Sequence, residues 1–212
     1  MNKIKYYQEQ TDNGLLNPAI HHIYSVLNIS EQAKILDIGC GAGYLSTHRP
    51  KYPEHVNLYG VDIDVIAKNN LNLGYKKIVV KDIEAKNYKL SEFKNNFFDF
   101  IVAKDFLEHI LQPWKLIPEL YRVLKPGGKV WAQSPHYTSQ LAWIDYTHVR
   151  PFTKHSFSML FKDSGFIIES VKYNSLGFIS NPTIVDLLVN RLPLIGHFAG
   201  NVEVIAVKPN TQ

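Results

Sequence analysis

Three glycines spaced two residues apart follow directly after a short apolar run. They are Gly39, Gly41 and Gly43 in the stretch KILDIGCGAGYLSTH, which covers residues 34–48. Glycine permits backbone conformations and close approaches that a side chain would block. The stretch therefore predicts a buried strand, a tight turn at which a ligand can approach the backbone, and a helix that begins at Tyr44.

The rest of the chain alternates short β-branched runs with longer amphipathic stretches. This alternation is typical of a parallel sheet covered by helices. The predicted strands are Lys34–Ile38, Asn57–Asp62, Lys77–Lys81, Phe98–Lys104, Gly128–Gln133, Phe166–Tyr173 and Asn201–Val207. The predicted helices are His21–Leu27, Val65–Leu73, Trp114–Leu124 and Lys154–Ser164. Residues 125–128, Lys-Pro-Gly-Gly, are expected to end the third helix and turn the chain into the next strand. Pro50 and Pro53 predict that the helix after Tyr44 is short or irregular.

The composition fits one globular domain, residues 1–212, in a reducing compartment. Of the 212 residues, 45% are hydrophobic, which is enough for a sizeable core. The sequence has no apolar stretch of about eighteen residues and no apolar N-terminal signal, so we expect a cytoplasmic protein. Cys40 is the only cysteine, which excludes a disulfide within the chain. The net charge of +4 comes from scattered lysines and gives no reason to expect nucleic-acid binding.

An acidic residue lies at or within one residue of the carboxyl end of each of the first three predicted strands. The dinucleotide fingerprint requires its third glycine at position 44, where this chain has tyrosine, so the spacing argues against NAD. A carboxylate at Asp37 would repel a pyrophosphate but would pair with an ammonium group. Asp62 is placed to accept hydrogen bonds from ribose hydroxyls, and Asp82 lies at the mouth of the third strand. S-adenosylmethionine, with an amino-acid end, a ribose and an adenine, has the outline that fits these three acids.

The chain resembles the class I S-adenosylmethionine-dependent methyltransferases in five ordered segments. These are LDIGCGAG, GVDID, KDIE, FFDFIVAKDFLEHI and ELYRVLKPGGKV, which together span about residues 30–135. The resemblance implies an α/β fold, a Rossmann-like three-layer sandwich whose seven-stranded sheet is mostly parallel with an antiparallel last strand. It also implies a transferase that uses S-adenosyl-L-methionine as its cofactor.

The resemblance further implies roles for individual residues. The three glycines would let the backbone approach the methionine portion of the cofactor, while Asp37 would hold its ammonium group and Asp62 its ribose. Asp82 and Ile83 would lie at the adenine. The other residues expected near the cofactor are Tyr44, Ile63, Asp105 and Phe106, with His109 near the methyl group.

The loop after the fifth predicted strand, residues 134–153, is expected to form the substrate wall, because ligands in such sheets bind beyond the carboxyl ends of the strands. Its string DYTHVRPFT resembles a segment of some bacterial methyltransferases associated with surface polysaccharides and small metabolites. His148 is the candidate base for a hydroxyl acceptor, Asp145 would orient its ring, and His109 is the alternative base. The residues expected to contact the substrate are His136, Tyr137 and Arg150.

Two alternatives remain open for this loop. In the first, Asp145, His148 and Arg150 only tie down a long loop by mutual hydrogen bonds. In the second, His136, Asp145 and His148 form a metal site of mixed nitrogen and oxygen ligands. The spacing of these residues is not diagnostic, and we expect no metal.

Two further segments are expected to shape the acceptor site. Residues 1–30 form an N-terminal cap segment, and residues 174–200 form an insertion rich in isoleucine, leucine and valine. The insertion is expected to pack on the domain's own core or at a homodimer seam, or to act as a lid in peripheral contact with a membrane.

Together these patterns predict an O-methyltransferase acting on a small molecule or on a sugar of a cell-surface glycan. The alternatives are an RNA or protein methyltransferase and a non-catalytic cofactor-binding relative. An RNA enzyme should show a clustered basic face or an added binding domain, and the sequence shows neither. The string Ala103-Lys104-Asp105-Phe106 also differs from the Asn/Asp-Pro-Pro-aromatic string of many enzymes that methylate nucleobase nitrogen.

Overall fold

A seven-stranded sheet forms the centre of the computed structural model, which describes residues 18–47, 55–63, 74–174 and 200–210. The strands are β1 (Lys34–Ile38), β2 (Asn57–Asp62), β3 (Tyr75–Val80), β4 (Phe98–Lys104), β5 (Leu124–Pro135), β6 (Ile167–Tyr173) and β7 (Asn201–Val207). Their order in the sheet is β3-β2-β1-β4-β5-β7-β6. Among these seven strands only β7 runs antiparallel to its neighbours, β5 and β6. The predicted fold class is confirmed.

The bounds of β1, β2, β4 and β7 agree with those predicted. β3 begins two residues earlier and ends one residue earlier than predicted, β6 begins one residue later, and β5 differs most. Residues 125–128, predicted as a turn between helix and strand, lie inside β5. The register pairs Phe98 with Leu124 and then Phe100 with Lys129, so four residues of β5 lie opposite one residue of β4. Gly127, with φ +74°, bends the strand there. The proline and glycines therefore form a bulge in the strand, not a turn before it.

Helices are described on both sides of the sheet. They are α1 (Pro18–Leu27), α2 (Tyr44–Thr47), α3 (Pro113–Val123), α4 (Leu141–Ile144) and α5 (Lys154–Lys162), with a 3-10 turn over Leu107–His109. The 3-10 turn and α4 lie where the sequence analysis predicts no helix. The predicted helix Val65–Leu73, residues 1–17 of the cap segment and residues 175–199 of the insertion lie outside the described residues.

The core has two parts, one on each face of the sheet. On one face, Ile23 and Leu27 of α1 pack with Ile35 and Trp131 of the sheet. On the other face, apolar side chains of α3 and α5, with Leu120 and Phe157 at their centre, pack against the strands. The result is the expected three-layer arrangement, since each helix buries one apolar stripe on the sheet. Within the described residues, no helix combines the length and apolarity needed to cross a bilayer.

Lys208 holds the bulge of β5 in place. Its backbone accepts a hydrogen bond from Gly127 N and donates one to the Gly128 carbonyl. Its side chain is buried, and Nζ donates at 2.8 Å to Asn96 Oδ1 and to the carbonyls of Tyr121 and Leu124. All three donors of the ammonium group thus have acceptors, which compensates for its removal from water.

We predict that Lys208→Met lowers the free energy of unfolding by about 3 kcal/mol, because it leaves two buried carbonyl oxygens without a donor. Urea denaturation followed by circular dichroism measures the change. Lys172→Met on β6 is the matched control, since Lys172 is exposed, and it should change stability by less than about 0.5 kcal/mol. Equal effects of the two substitutions would contradict this role of Lys208.

Candidate functional site

The candidate site lies where β1 and β4 are neighbours at the centre of the sheet. From β1 the chain passes to β2 and β3 on one side, and it then returns to β4 on the other side. Loops that leave two adjacent parallel strands in opposite directions open a crevice between them at the carboxyl edge. The loop after β1 contains the three glycines, and the loop after β4 begins with Asp105 and Phe106.

The glycine loop meets two different steric demands. Gly39, Gly41 and Gly43 have φ angles of +76°, +43° and +80°, which favour glycine. A Cβ at Gly39 would lie 2.5 Å from the ring of Phe106, so the β1 and β4 loops can pack together only without a side chain there. A Cβ at Gly41 would meet nothing within 4 Å. Gly41 therefore offers bare backbone next to open space, which suits a ligand that lies against the main chain.

Asp62 joins the end of β2 to the glycine loop. Its Oδ2 accepts a hydrogen bond of 2.8 Å from Gly41 N, and the adjacent Ile63 is 68% exposed. At the end of β3, Asp82 is exposed and its Oδ1 accepts from the backbone N of Glu84 and Ala85. Two carboxylates and an exposed apolar side chain thus line the edge of the sheet, and Ile83 beside them is buried.

Asp37 is a buried carboxyl group at the foot of the glycine loop. Its side chain accepts a hydrogen bond from the hydroxyl of Tyr75 on β3 at 2.5 Å. Burial, helped by the charge of Asp62, raises the pKa of Asp37 to about 7, although the Tyr75 hydroxyl and Lys104 oppose the change. A cation bound next to this carboxyl would favour its ionised form. The group is therefore suited to pair with a ligand ammonium.

Asp105 is fixed by partners on β4 and β5. Its carboxylate forms an ion pair with Lys104 and accepts from Gln133 Nε2 at 2.9 Å. Its φ of +48° is uncommon for a residue with a side chain. Burial opposes ionisation, but the Lys104 ammonium outweighs it and lowers the pKa of Asp105. A charged, rigid carboxylate thus starts the loop that packs against the glycines.

A chain of hydrogen bonds leads to His109 from residues 134–153, which we call the substrate loop after the role predicted for them. Thr147 Oγ1 lies 2.7 Å from Asp145 Oδ1 and 2.9 Å from His109 Nδ1. Hydrogen bonds from Thr147 outweigh the effect of burial and lower the pKa of Asp145, so this carboxylate accepts. The single hydroxyl proton therefore goes to Asp145, and Nδ1 of His109 must donate to Thr147. This tautomer carries its lone pair on Nε2.

His148 lies beside His109 but is not oriented by Asp145 in the way predicted. The two imidazole rings have centroids 4.6 Å apart at an angle of 71°. His148 Nδ1 lies 3.3 Å from the carbonyl oxygen of Ala142, while the side chain of Asp145 bonds to Thr147. The hydrogen bonds thus connect Asp145 through Thr147 to His109, whereas the prediction has Asp145 orienting His148. The structure brings the two candidate bases together.

Glu108 is a buried acidic residue that the sequence analysis missed. Its side chain is 1% exposed, and among the described residues neither carboxylate oxygen has a hydrogen-bond partner. Burial, together with the charge of Asp105, raises its pKa well above the usual range. One ligand atom each of Glu108, His109 and His148 lie within 4.8 Å of one another. These three side chains are thus a possible metal-ligand set, different from the one considered above.

The three residues expected to bind the substrate lie in different surroundings. His136 is 2% exposed, and its ring packs against Tyr137 and Tyr173. The contact of His136 with a substrate stays a prediction, and in the structure its Nδ1 lies 2.7 Å from Thr138 Oγ1. Tyr137 is partly exposed. The guanidinium of Arg150 lies over the ring of Trp114, and Nη2 donates to the carbonyl of Leu111.

Several side-chain contacts at the site can be recognised only from the three-dimensional structure. Tyr75 and Thr147 are ordinary strand and loop residues by type, and their partners lie 38 positions away in each case. Glu108 was detectable in principle, because the string Leu-Glu-His places a carboxylate directly before the candidate base. Its burial is set by packing around the 3-10 turn.

The comparisons with known proteins agree with this geometry. A family model for a methyltransferase domain matches residues 8–171. Phosphoethanolamine N-methyltransferase 1 of Arabidopsis thaliana is 27% identical over 155 residues, which are 66% of this chain and 30% of that protein. A ubiquinone biosynthesis O-methyltransferase of Histophilus somni is 30% identical over 138 residues, 60% of this chain and 56% of that protein. The chain thus spans about a third and about half of the length of these relatives.

A solved structure shows the same fold over nearly the whole chain. The SAM-dependent methyltransferase from Archaeoglobus fulgidus superposes with a TM-score of 0.72 at 17% identity, covering 96% of this chain and 99% of that one. At this identity the likeness concerns the fold. The order and direction of the strands described above are therefore shared with a protein whose sequence has diverged widely.

We predict that the buried carboxyl of Asp37 makes the folded protein less stable as the pH rises. The pKa of about 7 in the folded state, against 3.8 for the ordinary group, means that the folded state holds the proton more tightly. Its stabilising contribution is therefore present at low pH and is lost as the pH approaches and passes 7. Relative to Asp37→Asn, the wild-type protein should lose about 2 to 3 kcal/mol between pH 5 and pH 8. Urea denaturation of both proteins at the two pH values measures this, and parallel pH profiles would contradict it.

Proposed function

We propose that this chain, which belongs to the methyltransferase-domain family, is an S-adenosylmethionine-dependent enzyme. Its proposed reaction is methylation of a hydroxyl oxygen of a small molecule or of a sugar in a cell-surface glycan. The observation that carries the oxygen assignment is the imidazole pair of His109 and His148. A hydroxyl must lose its proton when it is methylated, and imidazole is the side chain best suited to accept a proton near neutral pH.

The residues at the carboxyl edge of the sheet fit the cofactor. When bound, S-adenosyl-L-methionine supplies a methyl group on a positively charged sulfonium, which is a good leaving group. The bare backbone at Gly41 leaves room for the methionine portion, and the carboxyl of Asp37 would pair with its ammonium. Asp62 would bind the ribose hydroxyls. Further contacts are proposed for Tyr44 and Ile63 at the ribose side, Asp82 and Ile83 at the adenine, and Asp105 and Phe106 at the methionine end.

The acceptor would approach from the substrate loop. His109 follows Phe106 by three residues, and its backbone N donates to the Phe106 carbonyl at 3.1 Å, so the imidazole pair lies next to the loop that contacts Gly39. In the protein without metal, His148 would take the acceptor's proton, while Thr147 and Asp145 hold the His109 ring. Most of the rate acceleration would then come from alignment of the oxygen with the methyl group.

Exposed aromatic residues support a flat or sugar-like acceptor. Trp143 and Tyr146 are 64% and 83% exposed on the substrate loop, and Trp143 Nε1 donates to the carbonyl of Tyr137 at 2.8 Å. Aromatic faces combined with a few polar groups are typical of small-molecule sites. The two relatives methylate different atoms by their names, nitrogen and oxygen, so the acceptor panel should include phosphoethanolamine beside phenols and sugars.

We predict that the chain binds S-adenosylhomocysteine and does not bind NAD, and that Asp62→Ala weakens the first interaction at least tenfold. The variant removes both the proposed ribose contact and the hydrogen bond to Gly41 N. Isothermal titration calorimetry with the two ligands in parallel measures the affinities. Asp163→Ala, at an exposed position after α5, is the control and should bind like the wild type. Failure of the wild type to bind S-adenosylhomocysteine would favour a relative that has lost the cofactor.

We predict that His148→Ala lowers the turnover number about 100-fold while the dissociation constant for S-adenosylhomocysteine changes by less than a few-fold, because proton acceptance is removed and cofactor binding is not. Release of S-adenosylhomocysteine with the acceptor panel measures turnover. His155→Ala, at an exposed position on α5, is the matched control. Unchanged turnover in His148→Ala would remove His148 from the chemistry.

A further inference from the structure

We propose that Glu108, His109 and His148 form a binding site for a divalent first-row transition metal ion. One ligand atom of each residue lies within 4.8 Å of those of the other two. Three protein ligands are the number that catalytic metal sites typically have, with water or substrate completing the coordination. The proposal departs from our sequence-based expectation that the protein holds no metal, and the titration below tests between the two.

The carboxylate of Glu108 is the strongest indication. It is 1% exposed, and in the described part of the chain neither oxygen has a partner within hydrogen-bond geometry, although the Ser134 hydroxyl is close enough to act on its charge. Buried polar groups are nearly always satisfied, and one that is not calls for a ligand, an ion or water. A metal ion between Glu108 and the imidazoles would supply the missing partner.

The orientation of His109 and its distance from His148 are suited to metal binding. Hydrogen bonds from Nδ1 of His109 to Thr147 fix the tautomer whose lone pair is on Nε2. Asp145 in turn accepts from the Thr147 hydroxyl. Metal-binding histidines typically donate their second ring nitrogen to such an outer group, which orients the ring and raises its basicity. The ring centroids of His109 and His148 are 4.6 Å apart, close enough to share one ion.

The donor set selects the class of ion. Two imidazoles and one carboxylate suit manganese, iron, cobalt, nickel or zinc, whereas calcium and magnesium prefer oxygen ligands alone. The set considered from the sequence, His136 with Asp145 and His148, is not the one that the structure gathers. His136 Nδ1 lies 2.7 Å from Thr138 Oγ1, and the carboxylate of Asp145 bonds to Thr147.

The ion would change how the acceptor loses its proton, and this consequence, unlike the binding itself, rests on the proposed function. An acceptor hydroxyl bound to the ion has a lowered pKa, so its proton can leave to water near neutral pH. The oxygen lone pair then forms the new bond to the methyl carbon, while the carbon–sulfur bond breaks and its electron pair stays on sulfur. In the loaded protein His148 is a ligand and not a base.

The test is a titration of the tag-free, chelator-treated full chain with cobalt(II) chloride, followed by calorimetry and by the visible absorption of the bound ion. We expect saturable binding of one ion per chain. Glu108→Gln and His148→Ala should raise the dissociation constant about 100-fold and Thr147→Val about tenfold, since outer-group losses cost 10- to 100-fold in affinity. His155→Ala, an exposed histidine on α5, should leave it unchanged.

Circular dichroism shows whether each variant folds, and binding of S-adenosylhomocysteine shows separately whether its cofactor site is intact. If Glu108→Gln does not fold, His148→Ala and Thr147→Val decide. Absence of saturable cobalt binding, or binding that these substitutions leave unchanged, overturns the metal site and leaves His148 as the proposed base. Metal binding without S-adenosylhomocysteine binding would instead support the metal site and contradict the proposed function.

Discussion

The reversal of strand order between β1 and β4 is the constraint on which the site depends. Because β2 and β3 lie on one side of β1 and β4 on the other, the loops after β1 and β4 diverge and leave a crevice between them. The absence of a side chain at Gly39 lets the Phe106 ring close the bottom of this crevice. A Cβ at position 39 would clash with the Phe106 side chain, so either that ring or the backbone of one loop would have to move.

Three carboxyl groups near this edge, the buried Asp37 and Glu108 and the partly exposed Asp105, have different partners. Asp105 has a cationic partner, Lys104, and a hydrogen bond from Gln133. Asp37 has only the hydroxyl of Tyr75 as its described hydrogen-bond donor. Glu108 has no described partner at its oxygens. An ionised carboxyl in such surroundings lowers stability unless a positive charge is near.

Asp37 and Glu108, the two carboxyl groups without a cationic partner, have a common explanation. Each lies where a cationic ligand is proposed, an ammonium group at Asp37 and a metal ion at Glu108. The folded chain would thus accept a cost in its free energy that ligand binding offsets. Substitution of either carboxyl by the neutral amide separates its effect on folding stability from its effect on binding. The amide removes the free-energy cost of a buried charge and also removes the attraction for the cation.

The sequence predicts those features that depend on local chemistry. β-branched runs define β1, β2, β4 and β7, and the glycine spacing predicts the turn before Tyr44. The bulge at residues 125–128 was predicted as a turn, because Pro-Gly-Gly is a local turn signal and the pairing with Lys208 comes from a distant part of the chain. The Tyr75–Asp37 contact and the Thr147–His109 contact were beyond prediction for the same reason. They join residues that only the finished sheet brings together.

The substrate loop is held both by backbone hydrogen bonds and by its polar side chains. The carbonyl of Glu108 accepts hydrogen bonds from the backbone N of Val149 and Arg150, and Tyr137 N donates to the Phe152 carbonyl. These main-chain bonds fasten the loop to the 3-10 turn and to itself. The side chains of Asp145, His148 and Arg150 do not bond to one another but to Thr147, Ala142 and Leu111. The side-chain bonds from His148 to Ala142 and from Arg150 to Leu111 also support the loop, and the His148 ring lies beside His109 in addition, which is the observation on which the proposed chemistry rests.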